Sequence, residues 1–154
     1  MKIKELAKRL DIEQNKKLTA KYVQFEKLIN ELRIREIPNE IVNSINIDID
    51  QINSISGSNK ELSKQLRKIQ SRILTLIEKE LKLVTKNHYR RTWMVMGMAA
   101  FGIPLGVAFG VSIGNMAFLG IGIPIGMAVG IAIGTAKDKE AYTNGNQLDT
   151  EIKY

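Results

Sequence analysis

The feature that most constrains this fold is an uncharged stretch, residues 92–136, which contains no Asp, Glu, Lys, Arg or His. It holds ten of the 12 glycines in the chain. One membrane crossing by a helix takes about 20 apolar residues, so this length fits two crossings and a turn. Gly114 and Asn115 are suited to that turn, which predicts spans over residues 93–113 and 117–136. A buried soluble core is the other interpretation, but a 154-residue chain offers little further apolar surface to cover two such helices.

The uncharged stretch contains an internal repeat. Residues 102–114 and 122–134 are identical at eight of 13 positions, and each copy has the pattern GxPxGxxxGxxxG. Glycines spaced by four residues lie along one face of a helix, where the missing side chains let a second helix approach closely. Each glycine lowers the stability of a soluble helix by about 1 kcal/mol, so the presence of eight in two rows favours a role in packing. The predicted helix-packing residues are Gly102, Gly106, Gly110, Gly114, Gly122, Gly126, Gly130 and Gly134.

Each repeat carries a proline two residues after its first glycine, Pro104 and Pro124. Proline donates no backbone hydrogen bond and clashes with the preceding turn of a helix. We therefore expect each proline to kink its helix, or to open one turn whose carbonyls face a partner or water.

The repeated motif resembles that of bacterial glycine-zipper proteins with two transmembrane helices. The resemblance covers about 45 of 154 residues. It implies that the eight repeat glycines pack helices, and that the chain is similar to families that include membrane toxins and pore-forming proteins. Glycine-rich hairpins also form the rotor ring of ATP synthases. That family needs a carboxylate midway along its second helix, which this chain lacks, so ion translocation by that route is not expected.

The charges on either side of the uncharged stretch predict its orientation. Basic residues precede the first span and follow the second, whereas the turn is uncharged. By the positive-inside rule, both termini are expected in the cytoplasm. The resemblance to bacterial glycine-zipper proteins implies the bacterial inner (plasma) membrane as the location. Anionic lipid headgroups are the expected partner of the basic flank, and nucleic acid is not expected. The predicted interface residues are Lys86, His88, Tyr89, Arg90, Arg91 and Trp93. Two roles are considered for His88, a contact with lipid headgroups and a pH-sensitive gate.

The first 91 residues predict about three amphipathic helices. Apolar side chains recur at steps of three and four in the first helix, which Pro38 ends, and Asn39 is a candidate cap for the second. Alternation over residues 45–49 is typical of a strand and competes with that second helix. The third helix follows a break at residues 56–59, where Ser58 or Asn59 is the candidate cap, and has a heptad stripe. The three helices are expected to pack as a coiled coil, within one subunit or between subunits. The polar tail, residues 137–154, is either disordered or folded back.

Side-chain chemistry gives little support for catalysis. The chain has no cysteine and one histidine, and it lacks the P-loop, GxSxG and HExxH patterns. We therefore expect no enzyme, no catalytic residues, no cofactor and no metal site.

The resulting prediction is an all-α protein in three parts: a cytoplasmic helical region (residues 1–91), a transmembrane hairpin (92–136) and a cytoplasmic tail (137–154). The leading hypothesis is a homo-oligomeric channel or pore, with a toxin or a defence effector as its candidate setting. Its conduction would rely on glycine backbone, Ser112, Asn115 and Thr135. The alternative is a non-conducting membrane anchor or scaffold whose coiled-coil region recruits a cytoplasmic protein partner.

Overall fold

The structure is a computed structural model that describes residues 1–9, 12 and 14–152, without the side chains of residues 116 and 119. The described residues form an all-α protein, which confirms the predicted fold class. The chain divides into two compact units, Met1–Val84 with Leu148–Tyr154, and Thr85–Gln147. The last two residues of the predicted tail lie outside the described residues.

The first unit contains helices α1 (Lys16–Arg33), α2 (Asn39–Asn53) and α3 (Asn59–Leu81), at the places where the sequence predicts them. Side-chain oxygens of Asn15 and Ser58 cap α1 and α3 by accepting the backbone N–H groups of residues 18 and 61. The alternation over residues 45–49 lies within α2 and does not form a strand. Helix α3 ends at a left-handed residue, Lys82 (φ 57°), so it does not continue into the second unit.

Asparagines on α2 hold the N-terminal segment in an extended conformation. Three asparagines of α2 are spaced by seven residues: Asn39, Asn46 and Asn53. Their Oδ1 atoms accept hydrogen bonds from the backbone nitrogens of residues 1, 4 and 7, at 2.7, 2.7 and 2.9 Å. Seven helical residues rise about 10.5 Å, which matches about 10 Å for three extended residues. Contrary to the expectation from sequence, Asn39 does not cap α2, because it is the first helical residue and Pro38 stands at the cap position. The Asn39 side chain binds the N-terminal segment. This arrangement leaves Ile3 buried in the core.

The core of the first unit consists of the apolar stripes of the three helices. The fully buried side chains include Phe25, Ile45, Ile73 and Ile77, and α3 packs against both α1 and α2. The end of the chain also belongs to this core, because Leu148 and Ile152 are buried and the Leu148 N–H donates to the Val84 carbonyl. The carboxylate of Glu31 accepts the next two backbone N–H groups, those of residues 149 and 150. Of the two alternatives for the tail, the described residues from 148 onward are folded back.

One carboxylate is buried within the first unit. Asp48 on α2 is completely buried, and neither of its oxygens accepts a hydrogen bond from the described residues. Burial raises the pKa of Asp48, and Arg72, whose Nη1 lies 3.3 Å from Oδ1, opposes that rise in part. The ionised form is therefore destabilised in the folded state.

The second unit is a helical hairpin. Its first arm comprises α4 (His88–Gly97), a π-helical turn (Met98–Gly102) and α5 (Ile103–Ile113). After a short 3₁₀ turn (Met116–Phe118), helix α6 (Leu119–Thr143) forms the second arm. The turn lies at Gly114 and Asn115, where the sequence predicts it, and Gly114 has a φ of 70°. The helices extend beyond residues 92–136 at both ends, because the polar residues that flank the apolar stretch are also helical.

Candidate membrane-spanning hairpin

The glycines of α6 contact the backbone of the opposite arm. A Cβ atom built on Gly134 would lie 2.5 Å from Arg90 Cα, and one on Gly130 would lie 3.0 Å from Met94 Cα and even closer to the Trp93 carbonyl. Real Cβ atoms essentially never approach heavy atoms within 3.0 Å. Only glycine permits this separation, because the opposing atoms are backbone atoms that cannot rotate away.

The same contact continues along both arms towards the turn. A Cβ on Gly126 would collide with Gly97 and Gly102, and one on Gly122 would lie 2.6 Å from Gly106 Cα. Residue numbers rise on one arm as they fall on the other, so the arms are antiparallel. Gly102 and Gly106 of the first repeat therefore face Gly122 and Gly126 of the second within one chain, whereas Gly130 and Gly134 face the backbone of residues 89–94, before the first repeat.

The buried residues in the apolar part of the hairpin are glycines. Among the residues between 89 and 137 whose exposure the structure describes, every buried residue is a glycine: Gly97, Gly102, Gly106, Gly110, Gly122, Gly126, Gly130 and Gly134. The large apolar side chains point outward and are exposed, among them Phe101, Ile103, Leu105, Phe109, Val111, Ile121, Ile123 and Ile125. This arrangement is the reverse of a water-soluble core, in which large aliphatic and aromatic side chains are buried.

Gly114 and Gly97 depart from the predicted row. Gly114 is exposed, and a Cβ built on it would meet nothing within 4 Å, so this glycine forms the turn and not the helix contact. Gly97 lies inside the contact although it is outside both repeats. It precedes Gly102 by five residues, and the π-helical turn between them, closed by a bond from the Ile103 N–H to the Met98 carbonyl, brings both glycines to one face.

The two prolines have different effects on the helices. Pro104 is the second residue of α5, just after the π-helical turn, and the widened backbone there accommodates a ring that has no N–H to donate. Pro124 lies inside α6, which is assigned as a continuous α-helix around it. The repeated motif therefore does not produce a repeated distortion.

A second row of small residues lies on the outer surface of each arm. These residues follow the glycines by two positions, which places them about 200° away around the helix. All of them are exposed. The row comprises Pro104, Ala108 and Ser112 on the first arm, and Pro124, Ala128, Ala132 and Ala136 on α6. Each arm therefore has one small face turned inward and another turned outward.

Polar residues gather at the open end of the hairpin, away from the turn. His88 and Tyr89 are half-buried and their rings form an edge-on pair with centroids 5.1 Å apart. Trp93 is also half-buried, and Lys137 Nζ lies 5.6 Å from its ring centroid. The side chains of the other predicted interface residues, Lys86, Arg90 and Arg91, are exposed.

Asp138 links the two arms at this end, and it is not among the residues predicted from sequence. It is 8% exposed, and its two carboxylate oxygens accept the backbone N–H groups of Tyr89 and Arg90 at 3.0 and 2.9 Å. These N–H groups belong to the first turn of α4, where a negative charge is favoured by the helix dipole. The carboxylate thus supplies an N-terminal cap that Asn87 does not provide with its own side chain. An acidic residue within a basic flank was the only signal for it in the sequence.

The described helices meet the requirements of length and composition for crossing a membrane. Two stretches are long and apolar enough, His88–Ile113 and Gly120–Thr143, and only 22% of the most apolar window of each is buried. The polar residues proposed for conduction, Ser112, Asn115 and Thr135, are exposed, and Asn115 Oδ1 accepts the Ala117 N–H in the turn. Among the described residues, no group of three or more His, Asp or Glu side chains is arranged to hold a metal ion.

Comparison of the chain with protein-family models, with curated protein sequences and with solved structures finds no match.

Proposed function

We propose that the hairpin anchors this protein in a lipid bilayer, and that the protein serves to hold its three-helix unit at the membrane surface. The inside-out packing of the hairpin is the observation that carries this proposal. The glycines of α6 pack against the backbone of the first arm, so each arm covers one face of the other. The outward aliphatic side chains are compatible with the acyl chains of lipid. An apolar surface of this extent is not typical of a soluble monomer.

The charges of the hairpin support one orientation. Because the arms are antiparallel, Arg90, Arg91, Lys137 and Lys139 lie at the same end, and the turn at the other end is uncharged. We propose the plasma membrane of a bacterium as the location, with the basic end and both termini in the cytoplasm and anionic headgroups around the basic side chains. Trp93 and Tyr89 suit the headgroup region, where amphipathic aromatic rings are enriched.

Single cysteines test this orientation, because the native chain has none. We expect Ala117→Cys, in the turn, to react with a membrane-impermeant maleimide in intact spheroplasts. Asn144→Cys, just after α6, should react only after lysis. The cysteine-free native chain is the control for background labelling. Reaction of Asn144→Cys in intact spheroplasts contradicts the orientation, and release of the protein by alkaline carbonate contradicts the anchor.

A homo-oligomeric pore is the second candidate, and the outward row of small residues favours it. The inward glycines are occupied within each chain, so an oligomer needs another close-packing face. Exposed Ala108 and Ser112 on one arm, and Ala128 and Ala132 on the other, offer such faces for small-residue packing between neighbours. Neither outward row carries an ionisable residue and the glycine backbone is buried within each chain, so any conduction would use the exposed hydroxyl and amide groups of Ser112, Asn115 and Thr135.

Counting subunits distinguishes the two candidates. If the pore is correct, native mass spectrometry from micelles should give a multiple of 17.3 kDa. Ala108→Leu combined with Ala128→Leu should reduce this to one chain and abolish single-channel currents in planar bilayers. Val107→Leu with Val129→Leu, at neighbouring bulky positions, is the matched control and should change neither. A monomeric, silent native protein leaves the anchor and eliminates the pore.

A further inference from the structure

A cationic cleft lies between the N-terminal halves of α1 and α3 in the three-helix unit. It has a volume of about 660 Å³ and is lined by Asn15, Lys17, Leu18, Lys21, Asn59, Lys60, Ser63, Lys64 and Arg67. The two helices run in the same direction here, because residue numbers rise along both walls of the cleft. Both helices also begin at its outer end.

Five cationic side chains line this cleft, and no carboxylate is among its lining residues. Lys17 and Lys21 form an i,i+4 pair on α1, and Lys60, Lys64 and Arg67 follow one another at the same face of α3. In the part of the chain that the structure describes, none of the five forms an ion pair. Like charges spaced by four residues destabilise a helix, and two such rows face each other here. Repulsion among these charges therefore lowers the stability of the three-helix unit, and a bound anion would raise it.

The other polar groups of the cleft add hydrogen-bond donors. The N-termini of α1 and α3 contribute partial positive charge. Lys21 Nζ is held 3.2 Å from the Ser63 hydroxyl, which fixes one ammonium group at the wall. A separate narrow pocket shares Lys21 and Arg67 with the cleft and is also lined by Gln70, whose buried Nε2 has no partner among the described residues. An acceptor-rich ligand satisfies such a set of donors.

The shape and lining of the cleft select the class of anion. Its volume is in the range of about 300–1,000 Å³ that is typical of small-molecule sites. No aromatic side chain lines it, so it lacks the stacking surfaces that proteins use to bind single-stranded nucleic acid. Ammonium and guanidinium groups bind phosphate oxygens through short charge-assisted hydrogen bonds.

We propose that this cleft binds a compact anion that carries two or more phosphate groups. The ligand is either a soluble phosphorylated molecule or the headgroup of a lipid. All of the residues involved belong to the three-helix unit, so the inference goes beyond the membrane anchor and does not depend on it.

Calorimetry on the full chain in a non-ionic detergent tests the proposal, with inorganic tripolyphosphate as the probe. Lys17→Gln combined with Lys64→Gln removes one charge from each wall and should weaken binding by about 25-fold, or about fivefold for each cation. Lys16→Gln with Lys68→Gln is the matched control, because these exposed lysines lie on the same helices outside the cleft. The control should change the affinity less than twofold. Without ligand, the cleft variant should be no less stable to heat than the native chain.

A second experiment identifies the source of the phosphate groups. The same pair of double variants is compared on vesicles of one part cardiolipin to nine parts phosphatidylcholine, against phosphatidylcholine alone. Discrimination between the two variants with tripolyphosphate supports a soluble ligand, and discrimination only with cardiolipin supports a lipid headgroup. Absence of binding to both probes, or an equal loss in the cleft and control variants, overturns the proposal.

Discussion

Replacing Gly130 with leucine is expected to force the two arms of the hairpin apart. Even a Cβ atom at this position would collide with the Trp93 carbonyl and would lie 3.0 Å from Met94 Cα. Backbone atoms cannot move aside as a flexible side chain does, so the helix axes must separate towards the roughly 8–10 Å of ordinary helix pairs. We expect a cost of about 3 kcal/mol in hairpin stability, at the upper end of overpacking substitutions.

Spin labels measure this separation directly. Because the chain has no cysteine, Val95→Cys and Val129→Cys place labels on exposed positions of the two arms without competing sites. Pulsed electron paramagnetic resonance should give a longer and broader distance in the Gly130→Leu protein. Gly120→Leu is the matched control, since Gly120 is an exposed glycine of the same helix and a Cβ atom added to it would meet nothing within 4 Å. An unchanged distance for Gly130→Leu, or an equal change for Gly120→Leu, contradicts the glycine contact.

Asp48→Asn is expected to stabilise the three-helix unit at neutral pH. The pKa of Asp48 is raised in the folded state above its usual 3.8, chiefly by burial, so the folded state binds the proton more tightly than the unfolded chain does. The stability from this group is complete below pH 3.8 and is lost as the pH rises through the folded-state pKa. Arg72 is largely solvated and compensates only in part. Asparagine removes the charge but leaves a polar group without hydrogen bonds at this position, so the expected gain at neutral pH is about 1 kcal/mol, the lower end of the range for a buried group without hydrogen bonds.

Hydrogen exchange of α2 and α3 peptides measures the effect within this unit alone. The difference in opening free energy between Asp48→Asn and the native chain should be smallest below pH 3.8 and should grow to a plateau at higher pH. Asp50→Asn is the control, because Asp50 is an exposed residue of the same helix whose carboxylate lies 2.6 Å from Lys4 Nζ. The control should lack that pH-dependent gain. A native chain that becomes more stable relative to Asp48→Asn as the pH rises would refute the assigned direction.

The helical periodicity of the first unit was readable from the sequence because each helix has one continuous apolar stripe. The N-terminal segment was not readable in this way, since it forms no regular element of its own. Its position depends on the side-chain amides of Asn39, Asn46 and Asn53, which lie far from it in sequence. Their seven-residue spacing was visible, but polar residues at such a spacing are usually solvated. Only the approach of the extended segment gives them a structural role.

Gly97 and Asp138 were missed for a related reason. Gly97 is out of register with the repeat by one residue, and a π-helical turn corrects the register. Whether a helix widens before a proline depends on local packing, as the uninterrupted α6 around Pro124 demonstrates. Asp138 caps a helix that begins 50 residues earlier in the chain, so its contact with Tyr89 and Arg90 exists only after the hairpin closes.

The sequence by itself determined that this protein is helical, that its charge is segregated, and that a duplicated row of glycines lies in an uncharged stretch long enough for two crossings. These properties follow from local periodicity and composition. In both repeats small and large residues alternate, so each arm has two small faces about 200° apart. The tertiary structure decided which of them turns inward. The glycine row does so because the absence of Cβ atoms allows backbone-to-backbone contact, which alanine, serine and proline at the other face would prevent.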